Sequence, residues 1–302
     1  MHEPLSTSIV SALLALLTAV SLHAGDSKII VRGATLEKLA GGFDFTEGPA
    51  ADKDGNVFFT DQPNDRIVKW SAADGTVSDW MKPCGRSNGT CFDKDGNLIA
   101  CADEKNELWS IAPDKKIAVL VKDFDAKLLN GPNDLWIRPD GAIYFTDPLY
   151  PRPYWKRDKK MQQDGQHVYF LASDRKNVTR VATDLKQPNG IIGTPDGKTL
   201  YVADIGANKT YAYNIQMDGS LTNKRLFCEL GSDGMTLDNE GNVYLTGRGV
   251  TVFDKSGKQI EHIDVPEPWT ANITFGGKDR DLLFITASKN VYGLKTRVKG
   301  AQ

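Results

Sequence analysis

The chain has 302 residues, with 37 Lys and Arg against 39 Asp and Glu, a net charge of −2, 40% hydrophobic residues and 28 glycines. That composition builds a sizeable core and excludes a disordered polymer, and balanced charge without a basic run argues against a nucleic-acid footprint. Four histidines, four cysteines and no Cys-x-x-Cys pair argue against a zinc centre of imidazole and thiolate.

Residues 9–22 are apolar or small, too short a run to span a bilayer comfortably and suited to the core of a secretory signal. Ala24 is a suitable last residue before cleavage, although residues 1–8 carry Glu3 and no Lys or Arg. A buried helix is the plainer alternative. The expectation is a signal peptide over 1–24 and an exported mature chain, periplasmic or secreted, over 25–302. No later segment is apolar enough for a membrane span. Export would permit disulfides among Cys84, Cys91, Cys101 and Cys228, and free buried thiols are the other reading.

A turn then recurs along the chain: Asp-Lys-Asp-Gly at 52–55 and 93–96, Arg-Pro-Asp-Gly at 138–141, Thr-Pro-Asp-Gly at 194–197 and Asp-Asn-Glu-Gly at 238–241. Each precedes a β-rich run such as Val57-Phe58-Phe59-Thr60 or Ile143-Tyr144-Phe145-Thr146, and an Asp-Gly pair supplies the positive φ angles of a tight hairpin. A degenerate sixth copy is Gly277-Lys278-Asp279-Arg280. The turn glycines are 41, 45, 56 and 44 residues apart, a period that predicts a single six-bladed, all-β propeller. Removing the leader leaves about 46 residues per blade, so a two-domain reading of the length gives way to a blade count. The longest interval holds residues 148–166, rich in Pro, Tyr, Trp, Lys and Arg, which reads as a binding loop or a solvated excursion. His167 and His262 are expected on strand surfaces.

Eight residues before each turn glycine stand Glu47, Asn88, Asn133, Asn189 and Asp233, four of them followed by Gly, with Asn272 within one residue of the same phase in the sixth unit. Any one of these reads as ordinary turn chemistry, because Asn and Asp tolerate left-handed backbone. Five at one offset, one of them Glu, points instead to a ring of oxygen ligands around the channel. Such a ring suits a hard cation, Ca²⁺ above all, with Mg²⁺, Mn²⁺ and Zn²⁺ as alternatives. No Gly-x-Ser-x-Gly, Gly-x-Gly-x-x-Gly or P-loop stretch is present.

At Phe45-Thr-Glu-Gly-Pro49, Leu129-Asn-Gly-Pro-Asn-Asp134, Tyr144-Phe-Thr-Asp-Pro148, Gln187-Pro-Asn-Gly190, Ser232-Asp-Gly-Met235 and Ala271-Asn-Ile-Thr-Phe-Gly-Gly277, the sequence resembles the senescence-marker-protein/gluconolactonase family of six-bladed propellers, which includes regucalcin. The resemblance covers nearly all of the mature chain and is nearest to the bacterial gluconolactonase-like branch. It implies a divalent metal held by Glu47, Asn189 and Asp233, with Asn133 a further ligand or a substrate contact and Asn88 lining the pocket. The chain departs from the family at Leu128, where bacterial members often carry Arg. It departs again at Gly131, where regucalcin has a substrate-binding Arg two residues before Asn133.

The expected reaction is hydrolysis of a sugar lactone, with the cation polarising the ring carbonyl. Asp233 is the nearest general base, or only orients the metal or water. Asn88, Asn133 and Asn272 would hold sugar hydroxyls, and Tyr150, Tyr154 and Trp155 would wall the ring, Tyr150 as a substrate-binding residue. The rivals are an organophosphate hydrolysis on the same scaffold and a non-catalytic, calcium-stabilised binding propeller, because fold alone does not choose an activity. The sequence leaves the oligomeric state open.

Overall fold

The computed structural model describes residues 27–301, so the leader predicted over 1–24 lies outside the described residues. Within them, six four-stranded antiparallel sheets follow one another along the chain. Blade I comprises Thr46–Ala51, Val57–Asp61, Arg66–Trp70 and Val77–Met81. Blade II comprises Thr90–Phe92, Leu98–Ala102, Glu107–Ile111 and Ile117–Val121. Blade III comprises Leu135–Ile137, Ile143–Asp147, His167–Leu171 and Val178–Ala182. Blade IV comprises Pro188–Gly193, Thr199–Asp204, Lys209–Ile215 and Leu221–Cys228. Blade V comprises Met235–Leu237, Val243–Gly247, Gly249–Phe253 and Gln259–Ile263. Blade VI takes Thr270–Gly276, Leu282–Ala287 and Asn290–Lys295, and its fourth strand is the N-terminal Glu37–Gly41. The first strands of neighbouring blades touch all the way round, which closes a six-bladed propeller about a central channel.

Each recurrent turn joins a first strand to a second. Glycines 55, 96, 141, 197 and 241 hold φ between 69° and 90°, the left-handed region that only glycine enters without strain. The acidic residue before each glycine, Asp in four copies and Glu240 in the fifth, is not left-handed, so the expected two-residue turn becomes a longer one. In it the first Asp does the work: Asp52 Oδ1 accepts from the backbone N–H of Asp54 and Asn56, as Asp93 and Asp238 do in their copies. Arg280, at φ 59°, takes the glycine's place in the sixth copy, and Asn272 stands eight residues before it.

A threonine at the second strand's far end ties blades together. Thr60 Oγ1 donates to the carbonyl of Asn88 at 3.2 Å, Thr146 to that of Asn189 at 2.8 Å, and Thr246 to that of Ala271 at 2.8 Å. These bonds fix the entrances of blades II, IV and VI against the blade before, where the predicted ligands sit. Between blades the faces are apolar, as where Phe59 meets Phe284 of blade VI with centroids 5.7 Å apart.

Candidate functional site at the channel mouth

Glu47, Asn88, Asn133, Asn189, Asp233 and Asn272 all stand within two residues of the start of a first strand; Asp233 is half-buried and the other five are buried. The glycines that follow four of them explain how they meet. A Cβ on Gly48 would lie 2.0 Å from the Asn88 carbonyl, one on Gly89 2.6 Å from that of Asn133, one on Gly190 2.6 Å from that of Asp233, and one on Gly234 2.0 Å from the Asn272 side chain. Each glycine thus lets one ring residue abut the next blade's. Only Gly48 of the four has a positive φ, at 47°, so close approach, not turn preference, selects them.

Polar bonds organise one side of the ring. Asn189 Nδ2 donates to Asp233 Oδ1 at 2.8 Å and to the Tyr150 hydroxyl at 2.9 Å. The Trp269 indole N–H donates to the other Asp233 oxygen at 2.6 Å. Glu47 receives the Gly48 N–H at 3.0 Å. The side-chain carbonyl oxygens of Asn88 and Asn189 are buried and have no protein partner. Asn272 differs: its oxygen accepts from the Ile273 N–H and its amide donates toward Asp134 at 3.4 Å, so it offers a ligand least.

Burial pushes the Glu47 carboxyl well above the usual carboxylate range, and the nearby Asp233 charge adds to the rise. Burial also raises Asp233, opposed by its bonds from Trp269 and Asn189. Two acids raised above the usual carboxylate range, beside two unpaired amide oxygens, form an all-oxygen donor set suited to a divalent cation. Among the described residues, no group of three or more His, Cys, Asp and Glu side chains is assembled for a metal, so amide oxygens would have to complete the set.

Antiparallel order puts the insertion of residues 148–166 at this same mouth, because it joins the second strand of blade III to the third. It folds back over the ring and is not a solvated excursion. Tyr150 reaches Asn189, and the Tyr154 hydroxyl donates to Gln62 Oε1 at 2.9 Å beneath the Arg86 guanidinium. Trp155 is buried, with its N–H on Asp103 Oδ2 at 3.2 Å and Arg157 stacked 3.5 Å from its ring centroid. Trp155 is therefore an anchor and not the expected substrate wall. Arg157 also fills the space at Gly131, where a side chain would run into it and Asp103. His167 corrects a second expectation: the end of the loop covers it, and its Nε2 faces Asp164 at 2.9 Å, so it is buried, whereas His262 is exposed on its strand. All four cysteines are free thiols.

A cavity of about 540 Å³ opens at the opposite, turn-side mouth of the channel and meets the ring only at Gly48, Asp134 and Asn272. We place the site at the other mouth, where the unpaired oxygens and the loop converge. Asp134, Trp269 and Arg152 were not read from the sequence; each lies beside a turn or in a loop with no repeating partner.

Three buried aspartates set a pH dependence. Burial pushes Asp103 and Asp147 up to about 7 and Asp134 up to about 8. In the unfolded chain each releases its proton near pH ~4. Between these values the folded state binds more protons, so stability falls as pH rises from about 4 to 8. Thermal melts of metal-free protein are expected to give a higher Tm at pH 5.5 than at pH 8.5; a flat or rising profile contradicts this.

A six-bladed propeller with its polar site at one mouth of the central channel is the class that fold and site define. The chain matches the SMP-30/Gluconolactonase/LRE-like region over residues 45–289, and it belongs to that family. It is 28% identical over 295 residues to a gluconolactonase of Zymomonas mobilis, covering 88% of this chain and 82% of that one. A pentonolactonase of Haloferax volcanii is 25% identical over 211 residues, 66% of each chain. The solved structure of a gluconolactonase from Xanthomonas campestris superposes with a TM-score of 0.84 at 30% identity, covering 91% of this chain and 93% of that one.

Proposed function

We propose that this protein is a divalent-metal-dependent hydrolase of a sugar lactone. Lactone hydrolysis is the reaction named for its relatives from Zymomonas, Haloferax and Xanthomonas. The observation that carries the metal is the buried Glu47 and the half-buried Asp233 beside the unpaired oxygens of Asn88 and Asn189. Glu47, Asn189 and Asp233 would hold the cation, with Asn133 beside them, and Ca²⁺ suits their oxygen chemistry best. When bound, such a cation supplies Lewis acidity toward the lactone carbonyl. Tyr150, placed by Asn189, bounds the substrate space together with Asn88 and Asn133. Asp233, with a hydrogen bond on each oxygen, is held in one orientation as the group that positions or deprotonates water.

The test is a pH-stat assay of glucono-1,5-lactone and pentonolactones with purified protein, with and without a chelator. Acid release that stops with chelator and returns with Ca²⁺ is the expected result. Full activity in chelator refutes the metal, and no opening of any lactone, with turnover of a phosphofluoridate, favours the organophosphate alternative. We also propose export through the 1–24 leader; a mature N-terminus at Gly25 in a periplasmic or culture fraction is the expected observation.

A further inference from the structure

We propose that Arg152 is a substrate-contacting residue of this site. Its guanidinium donates to the lactone carbonyl oxygen as that oxygen gains charge, then holds the carboxylate of the product aldonate. The inference rests on the lactonase reading and adds a residue that neither the turn repeat nor the oxygen ring indicates.

Three guanidinium groups crowd this mouth, and two of them are engaged in holding the loop. Arg157 donates to the carbonyls of Asp103 and Asn130 and stacks on Trp155. Arg86 donates to the Pro63 carbonyl, pairs with Glu104 at 3.3 Å and lies over Tyr154. Arg152 is different. Its Nε is buried with no hydrogen-bond partner, as are those of Arg86 and Arg157, but among the described residues the rest of its guanidinium also has no ion pair or hydrogen bond. It lies over the face of Tyr150, 5.1 Å from the ring centroid, and Tyr150 is the residue whose hydroxyl meets Asn189. The charge faces Glu47, Asp233 and Asp103, and it opposes the rise of all three.

A part-buried guanidinium whose Nε–H is buried and unanswered loses hydration there without replacement, and a ligand in the site would answer it together with the terminal donors. The planar fork fits two oxygens on one carbon, which is the geometry of a carboxylate. Lactone hydrolysis creates that group. Water oxygen adds to the carbonyl carbon, the acyl–oxygen ring bond breaks, and the ring oxygen leaves as a hydroxyl carrying one proton. The other proton goes to solvent, and the neutral lactone becomes an anion. A donor fork that meets little charge in the substrate and full charge later favours the transition state over the ground state.

The experiment compares wild type with Arg152→Ala and Arg152→Lys in three readouts: kcat and KM on glucono-1,5-lactone, inhibition by gluconate, and Ca²⁺ binding by calorimetry. Arg152→Ala is expected to lower kcat about 10²-fold, and to weaken gluconate inhibition at least about tenfold, the loss of one charged bond. Its Ca²⁺ affinity is expected to stay equal or tighten, because a cation leaves the neighbourhood of two carboxylates. Arg152→Lys keeps the point charge and is expected to recover part of the gluconate inhibition but not kcat. Unchanged kcat and gluconate inhibition in Arg152→Ala, with the wild type active, overturns the proposal alone. Weaker Ca²⁺ binding with a lower Tm in both variants also overturns it, because Arg152 would then only hold the loop. A wild type that opens no lactone overturns the lactonase reading first and this inference with it.

Discussion

Glu47→Gln is expected to abolish lactone hydrolysis, by at least about 10³-fold, while leaving the metal-free protein as stable as before or more so. The two effects move in opposite directions for one reason. Glu47 is buried beside Asp233, and the pair resists ionisation. A neutral amide of the same shape removes that repulsion and can still accept the Gly48 N–H. The gain is about 1 kcal/mol, or a few degrees in Tm for a chain of this length. Adding Asp233→Asn removes the second negative charge, and Ca²⁺ is then expected to give no thermal shift. In the wild type, saturating Ca²⁺ stabilises the fold by about 2.7 kcal/mol at a hundred times its Kd. Melting curves with and without Ca²⁺, beside the pH-stat assay, measure both effects. Full activity in the double variant would falsify the assignment of the site.

Gly190→Ala is the second large effect, and it touches no proposed ligand side chain. The added methyl carbon would sit 2.6 Å from the Asp233 carbonyl oxygen and 3.1 Å from the Gly234 carbonyl carbon, both backbone atoms that cannot rotate away. Blades IV and V must therefore separate at the ring, at about 1–3 kcal/mol for overpacking. Asp233 then moves relative to Asn189, so activity and Ca²⁺ binding are expected to fall together with stability. Urea denaturation and calorimetry on the one variant test this. A variant with wild-type stability and affinity would show that glycine is present at 190 for turn preference alone.

The blade count was legible because hairpin turns need glycine at one fixed place, and a period of turns is a local property. The ring was legible by the same logic, since residues at equal offsets in equivalent blades occupy equivalent places. Its glycines were legible as a pattern but not in meaning, because sequence cannot show that Gly190 abuts Asp233 in the next blade. Trp155 and His167 were misread because a long insertion carries no periodicity that says whether it folds outward or back.

What the sequence determined by itself is the repeating unit: turn, strand and the oxygen-bearing residue at its start. What only the tertiary structure decided is everything that joins units without a local rule. The strand Glu37–Gly41 closes blade VI across nearly the whole chain, and Asn272 meets Asp134 from 138 residues away. Trp269 fixes Asp233, and the insertion carries Tyr150 and Arg152 over the ring. These contacts follow from ring closure, which gives neighbours in space to residues that have none in sequence.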